Sequence, residues 1–179
     1  MGQRSQTTMF FKECMADALI QLIREKKSGK ITVKEITETA GVGRSTWFRH
    51  YSSQSEALSF KIQQLWYRWA QEHDLISRQF TLANAKSFFS FNYSIRGLLT
   101  TLYEYGQQSA VSDAFYQIMV TYYETNVPAY YQSSFFCYGL YGLLDAWIRR
   151  DFCEPPAEMA RLLIHMTQNA VHSLPIPEF

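Results

Sequence analysis

From Phe11 onward the apolar residues Met15, Ala18 and Leu22, with Cys14, Leu19 and Ile23 beside them, recur at steps of three and four. That spacing places one buried face on a helix. Lys26 and Lys27 suit the negative end of its dipole, Lys30 extends the same solvated cluster, and Gly29 offers a left-handed stop. Thr32 and Glu35 then stand at capping-box spacing and open a short helix to about Ala40. Gly41-Val42-Gly43 breaks it, with Gly41 free to take a positive φ and Val42 available to plug the angle between two helices. A third helix is predicted over Arg44 to Tyr51. Ser52 to Glu56 reads as a turn and new cap. Leu58, Ile62, Leu65, Trp66 and Trp69 then mark a longer helix to about Gln71, bridging two parts of the molecule.

Further helices are predicted at about 82–91, 94–106, 112–126, 130–150 and 156–173, punctuated by Asn92, Gly106, Pro128 and Pro155-Pro156. No strict alternation competes with these spacings, so the fold class is all-α. Two domains are expected, a three-helix unit over 1–54 and a helical body over 55–179. Composition agrees: the chain has 179 residues, is 47% apolar, and carries too few Gly (8) and Pro (5) for a loop-rich sandwich or a low-complexity linker.

Charge divides the chain. Residues 1–52 carry nine Lys/Arg against five acids, whereas the remainder carries eight against eleven. A basic end on an acidic body points to a polyanion partner for the first segment. No apolar run approaches the roughly 18 to 20 residues needed to span a bilayer. Lys12, Glu13 and Asp17 lie where a signal peptide would be apolar, so a cytoplasmic location and no membrane partner are expected. Cys14, Cys137 and Cys153 are odd in number and widely spaced, and are read as buried thiols instead of disulfides or zinc ligands. His50, His73, His165 and His172 have no carboxylate or nucleophile pattern nearby, and no phosphate loop or metal motif appears. Neither catalysis, nor a cofactor, nor a metal is expected.

Two short helices joined by a glycine-containing turn form a helix-turn-helix candidate. Ile36, Ala40, Val42 and Phe48 are expected to pack the inner faces, leaving Arg44, Ser45, Thr46, Trp47, Arg49 and His50 to project into a major groove. Arg44 has the fork geometry for guanine O6 and N7, while Thr46 or Trp47 can touch a thymine methyl. Thr32, Lys34, Ser45, Arg49 and His50 are placed for phosphates. Trp47 has core packing as its competing reading.

The stretch ITVKEITETAGVGRSTWFRHYSSQSEAL, Ile31 to Leu58, resembles the N-terminal domain of tetracycline-repressor-like (TetR/AcrR) transcriptional regulators. The likeness rests on the T-V-K-E-I start, the A-G-V turn and the R-S-T-aromatic-aromatic-R-H-aromatic helix. FFCYGLYGLLDAWIRRDFCEPPAEMARLL, Phe135 to Leu163, resembles the dimerising C-terminal helices of one subgroup. Departures stand out: Phe48 occupies the place of a Tyr that reaches a phosphate, Gln54 that of a phosphate-facing Lys, and Thr37 that of a small Ala.

The resemblance implies a homodimer on double-stranded DNA with a palindromic operator, and a helical body holding a ligand cavity for a small-molecule effector. Between Ile62 and Tyr138 lie 19 of the chain's 29 aromatic residues. Trp66, Phe88, Phe91, Tyr103, Tyr116, Tyr123 and Phe135 are the candidate lining for a flat or lipophilic ligand, with Glu104, Asp113 and Glu124 available to a cation. Packing of the core is the competing reading for most of these aromatics. Gly139, Leu140, Leu143, Trp147, Leu163 and Met166 are the candidate dimer interface, with intramolecular packing as the alternative. The expected function is a ligand-released repressor; the alternative is a DNA-binding coregulator or activator whose body binds a protein.

Overall fold

The computed structural model describes residues 3–26, 29–73, 82–120 and 127–168. Among these residues there are nine helices and no strand, as the apolar spacing predicts. Met15, Leu19 and Ile23 supply the buried stripe of α1 (Gln3–Lys26), which starts well before Phe11. It lies against α2 (Val33–Thr39), α3 (Arg44–His50) and the first half of α4 (Gln54–Glu72). These elements bury Ile31, Ile36, Trp47, Tyr51 and Leu58 between them. Helix α4 continues out of this head and joins α7 (Gln108–Met119), where Trp66 meets Phe115 edge-on at 4.2 Å between ring centroids.

The body is completed by α5 (Leu82–Ser94), α6 (Arg96–Glu104), α8 (Val127–Arg149) and α9 (Pro156–Gln168). Helices α5 and α9 pack together, and α8 lies on α7 and α6. Asn92 is fully buried, and its two amide ends are both used: it accepts from Trp66 Nε1 at 3.2 Å and donates to the Phe88 carbonyl at 2.9 Å. A buried amide left unpaired would cost about 1–3 kcal/mol, so this clamp fixes how α4 sits on α5.

Several boundaries differ from the periodicity. Pro128 falls in the first turn of α8, where its missing N–H costs nothing, and Pro156 opens α9 for the same reason. Helix α7 starts at Gln108 and closes at Met119; the expected continuation over 121–126, like the expected end of α9 over 169–173, lies outside the described residues. The corner between α8 and α9 uses two consecutive left-handed non-glycine residues, Asp151 (φ 53°) and Phe152 (φ 55°). It is held by Phe152 packing on Trp147 at 4.8 Å and by the Trp147 indole donating to the Glu154 carbonyl at 3.0 Å. The cysteines are free, but only Cys137 is buried; Cys14 is half-buried and Cys153 exposed, correcting the expectation of three buried thiols. Burial pushes the Cys137 thiol up to about 11.

Candidate nucleic-acid interface

Helix α2 starts on a complete capping box. The Glu35 N–H donates to Thr32 Oγ1 at 3.3 Å, while the Thr32 N–H and hydroxyl each donate to Glu35 Oε2 at 2.9 Å. The other carboxylate oxygen of Glu35 takes the Lys26 ammonium at 2.5 Å, which ties the end of α1 to the start of α2. Both Thr32 donors are thereby engaged by Glu35 at an exposed helix start, so Thr32 serves as the cap of α2. Thr37, where a small Ala was noted, is buried and returns its hydroxyl to the Val33 carbonyl at 2.9 Å.

The turn is a Schellman closure. Gly41 at φ +65° lets its own N–H reach the Glu38 carbonyl at 3.2 Å and the Val42 N–H reach Thr37 at 2.9 Å. Gly43, extended, then caps α3.

The rotation of α3 about its axis is set by Trp47 and Tyr51, four residues apart and both 2% exposed. Their rings meet at 5.2 Å, and Tyr51 continues the contact to Phe60 on α4 at 6.1 Å. With these two inward, helical geometry turns Ser45 and Arg49 straight outward, with Arg44 and Phe48 on the flank. All four are exposed, while Thr46 and His50 are half-buried at the edges. This reverses the expected pair: Trp47 belongs to the core and cannot reach a base, whereas Phe48 is 65% exposed and does not pack the inner face. The available signal was the Trp47–Tyr51 spacing, which outranks either aromatic taken alone.

Arg44 and Arg49 enter no ion pair among the described residues, and Lys34 stands on α2 at 3.8 Å from Glu38, a loose exposed pair that phosphate can replace. His50 is held below its usual value by burial and by the cations of Arg49 and Lys12. Gln54 donates its amide to the Ile31 carbonyl at 2.7 Å, tying α4 to the segment before α2.

The described candidate ligand residues are held by several different neighbours. Trp66 and Phe88 are buried and both pack on Phe115, and Phe91 stacks on Trp69 at 5.5 Å. Tyr103 gives its hydroxyl to Asp145 at 2.7 Å, and Tyr116 shares a hydrogen bond with Tyr130 at 3.2 Å. Phe135 is 80% exposed, a correction that follows from its place on the outer side of α8. Tyr123 and Glu124 lie outside the described residues; Glu104 and Asp113 are exposed. Where head meets body, an open cleft of about 660 Å³ runs between α1, α4, α7 and α8, bordered by Lys12, Glu56, Phe60, Asp113, Tyr116 and Tyr138. The Lys12 ammonium sits 4.2 Å from the Phe60 ring centre, and burial lowers its pKa while Glu56 acts to raise it.

The candidate dimer residues divide. Leu140, Trp147 and Leu163 are buried within the subunit, so these three are corrected: α8 is apolar on both sides, and one side is consumed by its own body. Gly139 and Met166 are exposed, and Leu143 is half-buried. The outer side of α8 instead carries Tyr131, Phe135 and Tyr138, with Gly139, Gly142 and Ala146 continuing the same exposed face.

No described helix is long and apolar enough to cross a membrane. No curated protein matches the chain. Residues 83–169, which span α5 to α9, match a TetR family model described as transcriptional regulator C-terminal region. The match covers the body and leaves out the head, where the capped α2, the glycine turn and the outward-facing α3 make a helix-turn-helix independently of it. The body thus carries the C-terminal region of TetR-family transcriptional regulators.

Proposed function

We propose that the protein is a homodimeric repressor that reads a palindromic operator with α3 and leaves it when a small molecule binds. One observation carries the DNA reading: Trp47 and Tyr51 clamp α3 to the head from behind, so that Ser45 and Arg49 face outward, with Arg44 exposed on the flank, on a preset rotation. Arg44 is assigned to a guanine edge; Lys34, Ser45, Arg49 and the half-buried His50 are assigned to phosphates, and Thr46 to the margin of the groove.

A seven-residue helix reads too few base pairs alone, and a two-fold pair about 34–36 Å apart reads two half-sites. Tyr131, Phe135 and Tyr138, beside the glycines of α8, supply the apolar self-complementary face that a second copy would cover. The effector is assigned to the head–body cleft, whose volume falls within the range of small-molecule sites and whose walls belong to both parts. A ligand there would favour one head–body arrangement only if it binds the two arrangements unequally. The packed aromatics around Phe115 support the second reading, a body that takes a protein partner in place of a small molecule.

Selection from a pool of random duplexes tests the core of the proposal. The expected product is an inverted repeat; a pool that stays random would overturn the DNA reading.

A further inference from the structure

Phe48 stands on the flank of α3 with 65% of its surface in water, one turn beyond Arg44 and three residues beyond Ser45. It shares exposure as a large apolar side chain in the head only with Phe10, among the described residues. Its ring has no polar atom, so it offers a phosphate nothing, yet the exposed cations Arg44 and Arg49 on the same short helix draw this surface onto DNA. Within a major groove the one apolar group on any base edge is the C5-methyl of thymine. The other bases present donors and acceptors there, and a ring pressed on them strips their water and returns no hydrogen bond.

We infer that Phe48 reads the methyl group of a thymine at one fixed position of each half-site, making it a specificity residue beside Arg44. This rests on the DNA-binding reading above and assigns the base at one position of the site. Discrimination arises from both sides, through the favourable burial of ring against methyl on thymine and the desolvation imposed on any other base.

The test begins with a duplex selected by the unmodified full-length protein. Each thymine is then replaced by deoxyuridine at the equivalent position of both half-sites, which removes only the methyl groups, and affinities are compared for the protein and for Phe48→Ala and Phe48→Leu. One position is expected to lose about fourfold per half-site with deoxyuridine, Phe48→Ala to lose a similar factor per half-site on the thymine duplex, and the two losses not to add. Phe48→Leu retains the preference. Because the side chain is exposed, all three proteins are expected to melt together, and unchanged helical circular dichroism checks this. Additive losses, or a selected site whose thymine preferences survive Phe48→Ala, overturn the assignment while leaving the DNA reading intact. Failure of the unmodified protein to select any sequence removes both.

Discussion

Tyr51 donates its hydroxyl to the backbone carbonyl of Lys12 at 2.9 Å, joining the end of α3 to the middle of α1 across 39 residues of chain. The bond is half-buried, and burial together with nearby carboxylates drives the phenol well above its ordinary pKa, so it remains a donor at any working pH. Tyr51→Phe keeps the ring contacts and removes this one bond. The expected cost is about 0.5–1.5 kcal/mol of stability, read as a lower urea midpoint with an unchanged slope. Operator affinity should fall with it, because α3 loses a fixed point.

Trp47 and Arg49 should separate fold from binding. Trp47→Ala empties a core position and is expected to cost about 3–5 kcal/mol, visible as a large drop in melting temperature. Arg49→Ala should leave stability within about 0.5 kcal/mol. It should lower the slope of log affinity against log salt by about one contact's worth, near 0.9 per phosphate in each half-site. Equal slopes for the two proteins would remove Arg49 from the phosphate set.

Glu35 sets an acid limit for the head. Its hydrogen bond with Lys26, and then those with the Thr32 N–H and hydroxyl, hold the carboxyl down to about 2 from an ordinary 4.5. A carboxyl depressed by folding stabilises above its unfolded value and loses that contribution as pH falls toward its folded value. Head stability is therefore expected to decline between about pH 4.5 and 2, and Glu35→Gln to flatten that part of the profile. Parallel curves for the two proteins in urea titrations across this range would show that Glu35 is not the group responsible.

The outer and inner sides of α8 should respond oppositely to substitution. Phe135→Glu places charge on an 80% exposed site and should leave the subunit folded while shifting sedimentation from dimer to monomer. Leu140→Ala lies on the inward side and should cost about 2–5 kcal/mol with no preference for dissociation. A Phe135→Glu protein that sediments as a dimer would move the two-fold contact elsewhere.

The parts legible in the sequence are those decided within a few residues. Thr32 and Glu35 are three positions apart, and Gly41 sits where a helix must reverse, so local chemistry states both. The helix count follows from apolar periodicity for the same reason. Trp47 and Phe48 are adjacent aromatics on a helix of seven residues, too short for its own repeat to say which points inward; Tyr51, beyond its end, decides it. Helix α8 fails differently. It is apolar on two sides, and only the three-dimensional position of its neighbours shows that Leu140 and Trp147 are spent inside while Phe135 is left in water. Tyr51 to Lys12 and Gln54 to Ile31 join residues far apart in the chain, and no spacing rule announces them.

Helix α4 has a mechanical consequence. Trp66 is wedged against Phe115 in the body, and Gln54, twelve residues earlier, grips the carbonyl that precedes α2. At 1.5 Å per residue that span is a stiff lever of about 18 Å, and a tilt of about ten degrees at the Trp66 fulcrum would sweep its far end through about 3 Å. Against a major groove about 12 Å wide, that travel is about a quarter of the opening, enough to put a seated helix out of alignment while every bond within the head stays whole.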